Sequence, residues 1–151
     1  MHTAKSRQKG VGMIEVLIAL FVLAIGMLGI AALQATALRN SQSSMERSQA
    51  TMLSYNLFDA MRADLANARA GNYQFASTCS SGNAPTLGTP LAQQQVDSWY
   101  QDLEANMGDN ACAQVTACSS ATQACTITIQ WDDARGKGGS NAEQVVTVSR
   151  L

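Results

Sequence analysis

The chain has 151 residues, 10 basic and 11 acidic side chains, and a formal net charge of −1. It contains no basic patch with interleaved aromatic residues, so its charge does not support nucleic-acid binding. The only histidine, His2, lies in the polar N-terminal leader, which excludes a Ser-His-Asp catalytic set. No glycine cluster is followed by the lysine and serine of a phosphate loop. We therefore expect neither enzymatic activity nor a cofactor.

A short basic leader followed by a long apolar run opens the chain. Residues 1–10 contain three of the ten basic side chains, and Glu15 is the only charged residue in residues 11–33. Those 23 residues would form about 34 Å of helix, enough to cross a bilayer core of about 30 Å. Positive residues ahead of an apolar span stay on the cytoplasmic side. The sequence therefore predicts one inner-membrane span at 11–33, with residues 34–151 forming a periplasmic globular domain.

Glu15 is the unusual residue of this span, because a carboxylate in an apolar span costs roughly 2.5–3.5 kcal/mol on insertion scales. Cleavage after Gly10 would make Val11 the new N-terminus, and its α-amino group would be largely cationic near neutral pH. We expect that group to lie within reach of Glu15 on neighbouring copies. The alternative is that Glu15 lies near the lipid headgroups and has no specific role.

The basic leader, Gly10, a small and apolar tetrapeptide, and then Glu15 opening an apolar helix form one motif. It resembles the class III signal of type IV prepilins and type II secretion pseudopilins, although Val11 stands where the family usually has Phe or Met. The resemblance implies that prepilin peptidase cleaves between Gly10 and Val11 and methylates Val11. It also implies that residues 1–10 are a leader that is lost, and that Glu15 takes part in subunit assembly.

Further segments narrow the resemblance to the minor pilins called PilV, or type IV pilus modification proteins. Many major pilins carry a helix-bending proline in this helix, whereas this chain has no proline before Pro85. The implied function is a minor pilin that assembles with other major and minor pilins after residing in inner-membrane lipid. The implied destination is a surface pilus used for twitching motility and adhesion. The segments that carry the resemblance are 15–20, 26–29, 33–34, 37–39 and 59–62.

Two alternatives remain beside the minor pilin: a minor pseudopilin of type II secretion and a pilus-tip adhesin. The four cysteines and the PilV-like stem favour the pilus over the secretion machine. The loop at 132–142 is compatible with binding, but it carries no aromatic or charged cluster that would indicate a ligand. Asp132 and Asp133 could suggest calcium, yet no series of oxygen ligands follows them. We therefore expect both to lie in a solvated turn after a strand.

From residue 34 the apolar pattern becomes amphipathic, which predicts one helix over residues 11–70. Gly71 provides its C-terminal cap, and Arg69 lies in the last turn. We expect Asp59 and Asp64 to be solvated or paired with Arg62. Seven apolar residues at spacings of three, four and seven are expected to pack under a sheet: Leu38, Met45, Met52, Leu53, Leu57, Met61 and Leu65.

The remainder of the chain predicts an α+β fold, in which the long N-terminal helix packs on a small antiparallel sheet. Thr89 and Pro90 indicate a second helix that extends to Gly108 and buries Trp99 and Leu103. The resemblance implies the same pilin-like arrangement. The other predicted segments are an irregular connection at 71–88, strands at 112–115, 126–131 and 145–148, a turn at 119–123 and a loop at 132–142.

Four cysteines lie beyond the predicted span: Cys79, Cys112, Cys118 and Cys125. Outside the stem only about 80 residues remain for a globular part, a size at which covalent staples are expected. An even count in an oxidising compartment indicates two disulfides. The preferred pairing is Cys118 with Cys125 across the turn, and Cys79 with Cys112. We expect no metal site, because His2 lies in the leader and no Cys-x-x-Cys pair occurs.

Overall fold

A computed structural model describes residues 12–79, 84–118, 121, 123–134, 136 and 139–151. The chain divides into two compact units, Met1–Leu38 and Arg39–Leu151, which are taken in turn below. The elements in chain order are α1 (Met13–Ala63), α2 (Leu65–Arg69), β1 (Phe75–Cys79), α3 (Pro90–Met107), β2 (Cys112–Thr116), β3 (Ala124–Trp131) and β4 (Glu143–Arg150).

The first unit consists, within the described residues, of the opening part of α1. Every residue from Gly12 to Leu38 is exposed, although most of them are apolar. Among the helices that the structure describes, α1 is the one that is long and apolar enough to cross a membrane. A helix that is apolar all round suits lipid or the interior of a helix bundle. Val11, the first residue of the predicted span, lies outside the described residues.

In the second unit, the remaining part of α1 buries one face against the sheet and α3. The buried side chains follow a spacing of three and four residues, as expected for one face of a helix. They are Ala50, Leu53, Ser54, Leu57, Phe58 and Met61.

The predicted apolar stripe on α1 is wrong in its first part. Met45 and Met52 are each 63% exposed, and Leu38 is exposed as well. Met52 and Met61 are nine residues apart, which is two and a half helical turns, so they face opposite directions. The residues at seven-residue spacing, Leu38, Met45 and Met52, therefore form one exposed face, and a different face, which contains Leu53 and Met61, meets the core.

The helix prediction over residues 11–70 is also wrong near its end. Helix α1 stops at Ala63, and Asp64 has the non-helical torsion angles φ −123° and ψ 54° before the short α2 begins. The predicted cap is confirmed, since Gly71 has φ +84°. The N–H of Gly71 donates to the carbonyl of Ala68, and the N–H of Asn72 donates to that of Asn67, which satisfies the end of α2.

The four strands form one antiparallel sheet in the order β1-β2-β3-β4, so the predicted α+β fold is confirmed. The segment 71–88 was expected to be irregular, but it contains β1. The pairing of β1 with β2 has a bulge between Phe75 and Thr78, whereas β3 and β4 pair without interruption over eight residues each. Both β3 and β4 begin two residues earlier than predicted.

Helix α3 matches its prediction closely, from the cap residue Thr89 to Gly108 at φ +87°. It buries Trp99 and Leu103 in the core, as expected. The indole N–H of Trp99 donates to the backbone carbonyl of Leu53 at 2.8 Å, which links α3 directly to α1. The two helices therefore cover the sheet as one layer with a shared core.

Candidate functional site

The first turn of α1 contains the predicted assembly residue, Glu15. The backbone N–H of Glu15 donates to the carbonyl of Gly12 at 2.9 Å, so the helix begins directly after this glycine. Glu15 is the third helical residue and is exposed. The free N–H groups and positive end of the helix dipole favour a carboxylate at this position.

Glu15 is the only charged side chain of α1 before Arg39. It therefore places one carboxylate at the beginning of a helix whose next 23 residues are uncharged. Such a group can form an ion pair with a cation on another chain, and the low-dielectric surroundings of an apolar bundle would strengthen that attraction. Gly10 and Val11, the predicted cleavage and methylation residues, lie outside the described residues.

Comparison with known proteins gives one match. Residues 5–31 match the family model described as the prokaryotic N-terminal methylation motif. Neither the search of curated proteins nor the search of solved structures finds a match. The motif and the long apolar helix support a pilin-like or pseudopilin-like protein that is anchored in a membrane. A class III signal of this kind implies processing by prepilin peptidase and assembly with other pilins.

Two disulfides hold the sheet of the second unit. Cys79–Cys112 joins β1 to β2, and Cys118–Cys125 closes the connection between β2 and β3. This is the pairing preferred from the sequence, and none of the four cysteines is free. The predicted turn between the second pair lies partly outside the described residues. The first bond therefore fixes the edge of the sheet farthest from β4, whereas the second lies next to β4, since Cys125 pairs with Ser149.

The expectation that Asp132 and Asp133 are both solvated is wrong for Asp133. Asp132 is exposed and accepts a hydrogen bond from the backbone N–H of Ala134. Asp133 is only 4% exposed, and its carboxylate accepts a hydrogen bond from the hydroxyl of Ser43 on α1. The aspartate is therefore a structural contact between the helix and the end of the sheet.

Two further contacts continue from Ser43 along α1. The indole N–H of Trp131 donates to Glu46 at 3.1 Å, and Arg47 forms a 2.7 Å ion pair with Glu143. Residues 43, 46 and 47 have the spacing of one helix face, so the sequence shows that they lie together. It does not show that their partners lie at the end of β3 and the start of β4.

The prediction for Asp59 is confirmed, because it forms a 2.7 Å ion pair with Arg62. Asp64 behaves differently, since its carboxylate accepts hydrogen bonds from the side chains of Asn67 and Tyr73. Burial raises the pKa of Tyr73, and the hydrogen bond and negative charge of Asp64 raise it further. The break between α1 and α2 is therefore held by the phenol of Tyr73, whose hydroxyl lies 3.1 Å from Asp64 and 2.5 Å from the side-chain oxygen of Gln95 on α3.

Proposed function

We propose that this protein is a minor pilin of a type IV pilus, of the PilV type. The observation that carries the proposal is Glu15 in the first turn of an exposed apolar helix, inside a methylation motif at residues 5–31. In this proposal residues 1–10 are removed, and 11–33 anchor the protein in the inner membrane. Residues 34–151 form the periplasmic domain before the subunit enters the filament.

The proposed assembly step is an ion pair between subunits. Cleavage after Gly10 would expose the α-amino group of Val11, and Glu15 of a neighbouring subunit would supply the opposite charge. Two unit charges at about 4 Å attract by some 4 kcal/mol at an effective dielectric near 20, before the cost of desolvation is subtracted. That attraction is available only between subunits that are aligned along their apolar helices, so it favours the correct register.

Mass analysis of the mature N-terminus tests the processing step. We expect a chain that begins at Val11 and carries a methyl group on its α-amino nitrogen. The same strain without its prepilin peptidase should give a chain that begins at Met1. A wild-type protein that keeps Met1, or one that begins beyond Leu33, would contradict the proposal.

Substitution of Glu15 tests the assembly step separately from insertion and cleavage. We expect Glu15→Ala to be inserted and processed but poorly incorporated, and Glu15→Asp to be partly defective because its side chain is shorter. Leu17→Ala is the matched control, since it shortens a neighbouring exposed residue without removing a charge. Cells are separated into membranes and sheared filaments, and both pools are blotted. Wild-type amounts of Glu15→Ala in the filament pool would leave Glu15 without a role in assembly.

Gene deletion distinguishes the pilus from the two alternatives. Piliation, twitching, surface adhesion and protein secretion are measured separately in the deletion strain and in the complemented strain. We expect piliation and twitching to fall while secretion is unchanged. Lost secretion with normal pili would assign the chain to type II secretion, and lost adhesion with normal pili and twitching would assign it to an adhesin.

A further inference from the structure

A groove of about 430 Å³ opens to solvent between α1 and α3, within the second unit. Its floor contains the side chains of Leu57 and Trp99, which are 1% and 5% exposed. The indole N–H of Trp99 is already bonded to the carbonyl of Leu53, so Trp99 lines the groove with its ring. Small-molecule sites occupy about 300–1,000 Å³. The groove therefore has the size of such a site and an apolar floor.

The walls of the groove are polar. Gln94, Ser98 and Asp102 follow one another on α3 at four-residue spacing, so they form one row along a face of the helix. These three residues are called the polar row below. Helix α1 contributes Asn56 to the opposite wall, and all four residues are exposed. The walls therefore offer two amides, a hydroxyl and a carboxylate, which together donate and accept hydrogen bonds.

The polar groups of the walls are not used by the chain itself. In the part of the chain that the structure describes, the side chains of the polar row and of Asn56 have no hydrogen-bond partner. Neighbouring glutamines of α3 differ, since Gln93 bonds to the backbone of Leu87 and Pro85, and Gln95 bonds to Tyr73. The hydrogen-bonding groups of the groove walls are therefore available to a ligand.

Charge and polarity restrict the class of that ligand. Asp102 is the only charged side chain among the described residues that line the groove, and α3 contains no lysine, arginine or histidine. An anionic ligand would be repelled by this carboxylate. A purely apolar ligand would displace water from the polar walls without replacing its hydrogen bonds. A neutral sugar avoids both costs, because its hydroxyl groups donate and accept hydrogen bonds while its C–H groups form an apolar face.

We propose that the groove between α1 and α3 binds a neutral saccharide. The C–H face of one sugar ring lies on the floor formed by Leu57 and Trp99, and its hydroxyl groups bond to the polar row. Asn56 bonds to the same sugar from the opposite wall. The proposal does not depend on the proposed function, because the groove belongs entirely to the second unit and plays no part in cleavage or in the pairing of Glu15.

Tryptophan fluorescence of the full chain tests the proposal, in micelles of a detergent that has no sugar headgroup. The chain has only two tryptophans, and Trp99 lines the groove. The probes are the methyl glycosides of glucose, galactose and mannose, each compared with its uronic acid, in which a carboxylate replaces one hydroxymethyl group. We expect at least one neutral glycoside to give a saturable change, and its uronic acid to bind at least tenfold more weakly. If no neutral glycoside gives a saturable change, the proposal is overturned.

Two substitutions on α3 locate the binding. Gln94→Ala removes an amide of the polar row and should weaken binding at least tenfold, or about 1.4 kcal/mol. Gln101→Ala is the matched control, because it removes the same type of side chain from an exposed position of α3 that does not line the groove. Both variants should keep the thermal midpoint of the wild type, since both residues are exposed. Equal weakening by the two variants would overturn the proposal.

Thiol labelling tests the alternative occupant, which is a helix of another subunit. Gln94→Cys and Gln101→Cys each introduce a single free thiol, since the native cysteines are paired. Membranes and sheared filaments containing either variant are treated with a maleimide. We expect equal labelling at the two positions, because a saccharide site has to stay open to solvent. Protection of Gln94→Cys alone would show that another chain covers the groove, and this result would also overturn the proposal.

Discussion

The two parts of helix α1 differ in what surrounds them more than in their local structure. Residues 13–38 are more apolar, yet every one of them is exposed. The later part carries more polar and charged residues, yet it buries Leu53, Leu57, Phe58 and Met61. Burial within the chain therefore does not follow hydrophobicity, because the later part has a sheet and α3 to pack against.

This difference indicates that the two parts of α1 are suited to different surroundings. Apolar surface that is exposed over a whole helix is unfavourable in water and suited to lipid or to other apolar helices. Helix residues 39–63 instead contribute to a domain core together with Trp99 and Trp131. Substitutions in the two parts should therefore be detected by different measurements, namely domain unfolding for the later part and membrane or filament partition for the first.

The largest loss of domain stability is expected for Trp131→Ala. Trp131 is 2% exposed and donates its indole N–H to Glu46 on the later part of α1. Truncation should lower the free energy of unfolding by about 3–5 kcal/mol, since it leaves a cavity and an unpaired Glu46. Urea unfolding of the full chain in micelles, followed by circular dichroism, measures this. An unchanged midpoint would show that Trp131 does not support the core.

Three methionines on α1 provide the most direct test of the comparison. Met61 is fully buried in the core, whereas Met52 in the later part and Met27 in the first part are each at least 60% exposed. Met61→Ala should cost about 2–5 kcal/mol of unfolding free energy. Met52→Ala and Met27→Ala should each change it by less than about 0.5 kcal/mol. Equal effects of all three in the same urea titration would contradict the division of α1.

The two disulfides should differ in their contribution to the second unit. Their sequence separations are 33 residues for Cys79–Cys112 and 7 for Cys118–Cys125. If each acts by restricting the unfolded chain, the first contributes about 4 kcal/mol and the second about 2 kcal/mol. Double alanine variants of each pair, unfolded in urea, measure the two values. A larger loss for Cys118 and Cys125 would show that packing of their buried side chains matters more than loop closure.

The parts of the fold that the sequence predicts correctly have local signals. Thr89, Pro90 and Gly108 mark the ends of α3, and strict alternation marks the centre of β3. Strand β1 has no such signal, because Phe75 is its only large apolar residue; it forms by pairing with β2. The break at Asp64 also lacks a proline or glycine, and it depends on contacts with Asn67 and Tyr73.

The candidate site was predictable only as a motif. The spacing of Gly10 and Glu15 is local, so the sequence reveals it, but the expected partner of Glu15 belongs to another chain. Asp133 shows the same limit within one chain. Its neighbours are typical of an exposed loop, and the residue that covers it, Ser43, lies ninety positions earlier. Burial produced by such distant contacts has no signature in local composition.

Among the substitutions that should destabilise the domain, Tyr73→Phe has the smallest expected effect, and it tests how the packed part of α1 ends. Tyr73 is fully buried, and its hydroxyl lies 3.1 Å from the carboxylate of Asp64 and 2.5 Å from the side-chain oxygen of Gln95 on α3. Loss of the hydroxyl should cost about 1.5 kcal/mol, the lower end for a bond to a charged group, because its single proton serves one acceptor at a time and Asp64 keeps its bonds to Asn67.

The effect should also depend on pH, because burial and Asp64 raise the pKa of Tyr73 in the folded state. The unfolded phenol ionises near pH 10, so the folded state retains a proton that the unfolded state loses above that pH. The stabilisation by Tyr73 is then complete below about pH 10 and decreases as the pH rises further. Phenylalanine cannot ionise, so the difference in unfolding free energy between wild type and Tyr73→Phe should narrow in alkaline solution.

Tyr100 also has a raised pKa, but it is present in both proteins and cancels in the comparison. Urea titrations of both proteins at about pH 8 and about pH 11 measure the difference. A difference that stays constant between those pH values would show that the Tyr73 proton does not stabilise the junction of α1 and α2.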